Sequence, residues 1–270
     1  MSGSKYLSCR CAVSTFVANA RPLLAVISDD SKGVLRESNV LPLFSMSALP
    51  QNIPLLYVLV KMYKRDKRCF LLGNHYLKLT VNEVAMILGL PNRGREFLFS
   101  RLPFMELSHK DLLNEMHTLV NEEWSENLEQ KLVNLLIRYL LIVFLFPLKT
   151  RKIPKCLGVL DDGVGALRDY NWPKAIHAFL HLQLDCLSRA NAVREADTCL
   201  GYFKGCSIVL LVWFFEHTSV QRVVHFHDRP RICRWSDKLS YSAKFCLDLR
   251  SELMKPNQVY LFNLFSQLYK

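Results

Sequence analysis

Apolar residues recur at three- and four-residue intervals along most of this chain, the spacing that gives a helix one continuous buried stripe. Leu55, Leu56, Leu59, Val60 and Tyr63 follow it between Ile53 and Tyr63. Leu132, Leu135, Leu136, Tyr139, Leu140 and Val143 repeat it within a longer stretch, Leu128 to Phe146. The pattern predicts a helix over each. Further helices are expected over Ser28–Glu37, from Ser108 to about Glu123, over Ile153–Leu160, from Asn171-Trp172-Pro173 to about Arg189, and over Gly201–His217. Two amphipathic helices, Lys238–Met254 and Gln258–Tyr269, are expected to close the chain. The first forty-odd residues are the least regular, with Pro42 and Pro50 punctuating a loop, and Val220–Trp235 reads as irregular around Pro230.

One region reads as strand. Arg68-Cys69-Phe70-Leu71-Leu72 and His75-Tyr76-Leu77-Lys78-Leu79 flank Gly73-Asn74, the turn chemistry of a two-residue hairpin. Thr80 with Glu83 three residues later is a capping box. A helix is therefore expected to start at Val81 and stop at Gly89, with Pro91 just beyond. The fold class that follows is mainly α: a single globular multi-helix domain with one small β-hairpin, over residues 1–270. Its core is expected at about residues 12–240, with 241–270 forming the closing amphipathic helices.

Half of the 270 residues are hydrophobic and 22% are charged, which excludes disorder on composition. The stretch Leu132 to Leu148 is the most apolar, yet it holds Asn134 and Arg138 and ends at Pro147. A membrane-spanning helix needs about 20 apolar residues. This stretch and the shorter Cys206–Phe215 read as core helices surrounded by other helices, and no membrane partner is expected. Lys and Arg outnumber Asp and Glu by 35 to 24, a net charge of +11 that favours acidic partners without specifying one. The nine cysteines are odd in number and form no CxxC pair, and with no secretory signal the expected compartment is reducing, nucleus or cytoplasm.

Four stretches and a fifth short one, in this order, resemble one family. They are Phe70–Gly94 (FLLGNHYLKLTVNEVAMILGLPNRG), Tyr139–Asp162 (YLLIVFLFPLKTRKIPKCLGVLDD), Tyr170–Leu180 (YNWPKAIHAFL), Gly205–Thr218 (GCSIVLLVWFFEHT) and Arg229–Trp235 (RPRICRW). Together they look like the plant mobile domain, also called the aminotransferase-like plant mobile domain, of plant transposons and host proteins of the Maintenance of Meristems type. The resemblance implies a helical domain, a nuclear setting, and roles in transposon silencing, genome maintenance or meristem upkeep through protein complexes. Its motif positions here are Gly89, Leu90, Pro91, Asn171, Trp172, Gly205, Trp213, Pro230, Arg231 and Trp235, all expected to be structural. Asn171-Trp172-Pro173 departs from the Trp-Gly-Ser of the Maintenance of Meristems branch.

The residues do not support the chemistry in that label. A pyridoxal phosphate enzyme needs a Schiff-base lysine and a Gly- or Ser-rich phosphate cradle on a large α/β scaffold, and with ten glycines and one visible hairpin no cofactor and no small-molecule substrate are expected. His177 and His181 lie four apart, which can place both on one helix face, but no glutamate stands between them and core histidines are the expectation. His225, His227 and Cys233 form a looser trio lacking an evident fourth zinc ligand. Cys206 and His217 are eleven residues apart on one helix, about 16 Å, and cannot act as a catalytic pair. Trp172, Trp213 and Trp235 are expected as core anchors.

The one concentrated charge feature is Lys61, Lys64, Arg65, Lys67 and Arg68, relieved by Asp66. It reads as a solvated turn, as a nuclear-import signal, or as a patch that contacts the phosphates of DNA or RNA. Arg229, Arg231 and Arg234 can join it if the fold brings them together. The expected function is a non-catalytic nuclear module that binds other nuclear proteins, with the Gln258–Tyr269 helix as its candidate apolar face. The alternative is a transposon-derived nucleic-acid-binding protein that uses the basic surface. A third class, an enzyme, would require a pocket with converging titratable groups.

Overall fold

The computed structural model describes residues 7–9, 11, 13–47, 49, 51–100, 103–158, 160, 162–193, 201–218 and 230–235. Val13, Phe16, Val17, Ala20, Leu23 and Leu24 share a buried face, so the chain folds as α1 (Val13–Val26) where the sequence reading expects irregular structure. Pro22 lies inside this helix and removes one i→i−4 hydrogen bond. The six buried side chains outweigh that loss.

Local caps fix most of the remaining helix starts. Ser28 caps α2 (Asp29–Glu37), and the short α3 (Leu41–Ser45) has Pro42 in its first turn. Asn52 Oδ1 accepts from the Leu55 amide to open α4 (Ile53–Met62). The Thr80–Glu83 capping box opens α5 (Val81–Leu88), and a second box, Ser108 with Asp111, opens α6 (His109–Val120). Ser125 caps α7 (Glu126–Tyr139). After α8 (Lys155–Gly158), Asp162 caps α9 (Gly163–Asp169), and Asn171 Oδ1 accepts from the Lys174 amide to open α10 (Trp172–Val193). The helix α11 (Ser207–Glu216) starts six residues later than the expected Gly201.

Gly89 ends α5 with φ at 71°, a conformation that costs a residue carrying Cβ about 1–2 kcal/mol. A Cβ at this position would also stand 2.6 Å from Cβ of Pro230. Gly89→Ala should therefore lower the unfolding free energy by about 2 kcal/mol or more, the turn strain and the displaced Pro230 contact acting together. Urea titration measures it. A loss under about 0.5 kcal/mol, the size of an ordinary surface substitution, would mean that Pro230 does not pack here.

The expected hairpin is accompanied by further short strands. It is present, as β3 (Cys69–Leu72) and β4 (His75–Leu77), and of its two turn residues only Gly73 takes positive φ, the pattern of a turn with glycine in first place. A third strand, β2 (Tyr63–Lys64), pairs with β3. Two further pairings join distant segments. β5 (Phe104–Ser108) runs antiparallel to β6 (Lys152–Pro154), and β1 (Ser8–Cys9) runs parallel to β7 (Tyr202–Phe203), all strands numbered in chain order. β6 thus takes the start of the segment expected as a helix over Ile153–Leu160, leaving α8 only four residues.

The fold is mainly α and forms a single globular domain. The two most apolar stretches lie at its centre. Leu128–Phe146, expected as one helix, is α7 followed by a π-helical turn over Leu140–Leu145. That turn packs on α1, where the rings of Phe16 and Phe144 stack at 5.3 Å. Every residue of α11 from Ser207 to Phe215 is buried. Among the described residues no helix is long and apolar enough to cross a membrane. The stretches Lys238–Met254 and Gln258–Tyr269 lie outside the described residues, and of the segment expected as irregular Arg231–Arg234 is a 3-10 turn.

Candidate nucleic-acid interface

The basic cluster spans the end of α4 and the turn from β2 to β3. Register pairs Tyr63 with Phe70 and Lys64 with Cys69, so the four residues between them, Arg65 to Arg68, must reverse the chain outside the core. Arg68 completes the turn at φ 47°. Lys64, Arg65, Lys67 and Arg68 are exposed and Lys61 is half-buried in the last turn of α4. Lys61 Nζ lies 5.3 Å from the centre of the Tyr57 ring, and Lys67 Nζ lies 3.9 Å from that of Tyr76, itself 52% exposed. Lys78, exposed just after β4, acts on the buried Cys69 thiol together with Lys64 and Lys67, which places the three lysines around one sheet. Burial pushes that thiol up, and the lysines pull against it. Tyr76 and Lys78 were missed by a reading that followed the continuous charge run; their two-residue spacing beyond the hairpin turn was the signal.

Two carboxylates oppose these cations. Asp66 is exposed within the turn, and Asp185 on α10 receives Arg68 at 3.6 Å. Arg231 does not extend the patch: its guanidinium donates to Glu216 at 3.0 Å and reaches Met86 sulfur at 3.2 Å. Burial pushes the Glu216 carboxyl up, and Arg231 offsets only part of this. Arg234 is half-buried, and Arg229 lies outside the described residues.

Behind the basic turn runs a buried polar chain. Tyr63 donates its hydroxyl hydrogen to Asp185 Oδ1 at 3.2 Å, so its oxygen accepts from His181 Nδ1 at 2.9 Å. Burial, with Asp185 next in effect, raises the Tyr63 hydroxyl above its usual range. His177 lies tilted against His181 at 4.4 Å between ring centres and donates from Nε2 to the Leu79 carbonyl at 2.9 Å. Burial lowers both imidazoles, His181 to about 4 with further help from His177. The pair is thus engaged by protein groups. Among the described residues no group of three or more His, Cys, Asp and Glu could hold a metal ion. Cys233 Sγ donates to the Pro42 carbonyl at 3.8 Å, whereas His225 and His227 lie outside the described residues.

The positions on which the resemblance rests lie on or beside α5, α10, α11 and the 3-10 turn. Gly89 lies under Pro230, and Leu90 is buried beside the half-buried Pro91. Asn171 caps α10, and the buried Trp172 donates to the Ala166 carbonyl at 3.1 Å. Gly205, at φ 90°, leaves room for the Phe179 ring, which a Cβ would meet at 2.8 Å. Trp213 donates to Glu83 Oε1 at 3.2 Å, and Trp235 packs at 5.3 Å from Phe215. His217 sits at the far end of α11 from Cys206, so the two do not meet. Its Nε2 lies 3.0 Å from Glu83 Oε1 and its Nδ1 2.8 Å from the Trp213 carbonyl, so both ring nitrogens face acceptors. A shallow cleft beside the π-helical turn is lined by His109, Phe146, Thr150, Arg151 and Lys152 among others, with no carboxylate or thiol.

No curated protein and no solved structure matches this chain. One family does: the sequence matches the domain of unknown function DUF8566 over residues 9–211. The matched segment carries the basic turn and the hairpin, and it reaches into α11. Since it covers most of the sequence, the chain belongs to the DUF8566 family.

Proposed function

We propose that the protein is a non-catalytic nuclear module of plant mobile domain type that contacts the phosphates of nucleic acid through its β2–β4 face. The observation that carries this reading is the exposed turn: Lys64, Arg65 and Lys67 are exposed on it, Lys78 is exposed just after β4, and Lys67 lies over the exposed Tyr76 ring. Ammonium and guanidinium groups on a solvent-facing ribbon neutralise phosphates without reading bases, and binding then depends on salt. Tyr76 offers a ring on which an unpaired base can stack. The nuclear setting rests on the resemblance of the motif stretches to the plant mobile domain.

The test is fluorescence anisotropy with a labelled duplex and a single strand, repeated over a range of salt concentrations. Removing one cation that neutralises a phosphate should flatten the slope of log affinity against log salt by about 0.9 for duplex DNA. The triple variant Lys64→Glu, Arg65→Glu, Lys67→Glu should therefore lose about 2–3 units of slope. Equal binding by the variant and the wild-type chain would overturn the reading.

A second reading, an adaptor joining other nuclear proteins in a silencing or genome-maintenance complex, is supported by the same ordered resemblance. Its candidate docking helix, Gln258–Tyr269, lies outside the described residues. Pull-down from plant nuclei separates the two: partners retained after nuclease favour the adaptor, and partners released by nuclease favour the basic face.

A further inference from the structure

We infer that the cleft beside the π-helical turn docks an acidic peptide segment of a partner protein, seating an apolar side chain in the cleft and pairing carboxylates with Arg151 and Lys152. The cleft forms where two distant stretches are tied together. Register sets Ser108 of β5 opposite Lys152 of β6, and the His109 amide donates to the Arg151 carbonyl at 3.0 Å. The first turn of α6 is thereby held against the segment that leaves the π-helical turn. That turn ends in an i→i−5 hydrogen bond, from the Phe146 amide to the Leu141 carbonyl at 2.8 Å. Such turns are rare within helices and frequent at functional sites.

Ile142, Val143, Phe146, Pro147, Leu148 and Pro154 supply the apolar part of the lining. Their positions are firmly held. The Phe146 ring stacks on Phe99 at 4.8 Å and meets Phe179 at 5.8 Å, and the Pro147 carbonyl accepts from the Gly205 amide at 2.8 Å. His109, Thr150, Arg151 and Lys152 supply the polar part, with Arg151 and Lys152 exposed. The space is about 350 Å³ and opens to solvent, which is the low end for a ligand site. It suits one apolar side chain of a segment whose remainder lies across the exposed cations.

The charge around the cleft is of one sign. Lys149, Arg151, Lys152 and Lys155 stand within seven residues that hold no carboxylate, and all four are exposed. Lys110 is exposed in the adjoining first turn of α6. A reading of continuous charge runs passes over this set because Thr150, Ile153 and Pro154 interrupt it. Two carboxylates stand on β5 and the first turn of α6. Glu106 is exposed, while Asp111 accepts from the Ser108 amide and hydroxyl at 2.8 and 2.7 Å. A peptide whose carboxylates flank a leucine, isoleucine or phenylalanine matches both the cations and the apolar lining, and complementary charge of this kind sets specificity and speeds association. Nucleic acid matches the charge alone: phosphates gain nothing from an aliphatic lining, and the Phe146 ring, 1% exposed, offers bases no face for stacking. The site is also separate from the basic turn. Phe179 of α10 meets Phe146, whereas His181, two residues and about 200° further round the helix, meets Tyr63. The inference therefore stands apart from the nucleic-acid reading.

The experiment pans a random peptide library displayed on phage against the full chain, so that the protein selects its own ligand. Enriched sequences are expected to carry aspartate or glutamate beside leucine, isoleucine or phenylalanine. One of them, synthesised with a fluorescent label, should bind the variant Arg151→Glu, Lys152→Glu at least about tenfold more weakly, because each reversal turns attraction into repulsion. Both side chains are exposed, so the variant keeps its core. The variant Lys64→Glu, Arg65→Glu, Lys67→Glu should bind the peptide as the wild-type chain does, which separates this answer from that for the basic turn. No enrichment, or enrichment of peptides without acidic residues, would overturn the inference. Equal affinity for the wild-type chain and the cleft variant would do the same. A labelled single strand that loses as much affinity as the peptide in the cleft variant would also sink it, since the cleft would then be a second phosphate contact.

Discussion

Replacing Trp213 by alanine should cost about 3–5 kcal/mol of folding stability, the range for truncating a fully buried aromatic side chain. Trp213 is 0% exposed, and its ring lies 4.8 Å from Phe70 and 4.9 Å from His217. Its removal opens a void where α11, α5 and β3 meet, and those backbones are held by their own hydrogen bonds and cannot close it. The indole also donates to Glu83 Oε1, so truncation leaves a half-buried carboxylate with one donor fewer. Trp213→Phe separates the two effects. It keeps most of the packing and loses the donor, and should cost about 1–2 kcal/mol. A domain of this kind has about 5–15 kcal/mol in total, so the alanine variant is expected to be partly unfolded at modest urea concentrations. Equilibrium urea titration of the three proteins checks this, and an alanine variant within about 1 kcal/mol of wild type would mean that Trp213 is not at the centre of the core.

What could be read from the sequence was what the chain encodes within a few residues. Thr80, Glu83 and Gly89 lie within ten positions of one another, and α5 begins and ends where they say. The same is true of Ser108 with Asp111, of Asn171, and of the Gly73 turn. β1 with β7 and β5 with β6 were not legible, because each partner lies far along the chain and strands of two to five residues carry no period of their own. α1 was hidden for a different reason. Asn19, Arg21 and Pro22 interrupt the run, and only packing against Phe44, Tyr139 and Phe144 shows how far the Phe16 side of the helix is buried. At the candidate interface the charge run announced itself, but its tie to Asp185 spans more than a hundred residues and depends on how α10 crosses the sheet. The approach of Gly89 to Pro230 and of Glu83 to Trp213 joins positions more than a hundred residues apart, which no local pattern encodes.

Acidification from neutral pH to about pH 4 should remove about 3 kcal/mol of stability through His181 alone. This imidazole is buried between Tyr63 and His177, with Asp185 and Arg68 as the charged groups nearby. Burial and His177 hold it at about 4 against an ordinary 6.5. The unfolded chain therefore takes up a proton near 6.5, and the folded chain refuses it until about 4. Above the higher value neither state is protonated there and the contribution is complete. Between the two values protons drain the population toward the unfolded state, and below the lower value nothing more is lost from this group. His177, lowered by the same burial, steepens the slope in the same direction. Glu83 acts further down. Burial raises its carboxyl, but hydrogen bonds from His217 and Thr80 prevail and hold it below the ordinary 4.5, so its contribution is complete above that value and is lost as pH falls through the folded one. Urea midpoints across this range should fall steeply between about pH 6.5 and 4 in the wild-type chain and less steeply in His181→Leu, whatever the absolute stability of that variant. Equal slopes would mean that the His181 imidazole is solvated in the folded protein, and that the polar chain behind the basic turn is open to water.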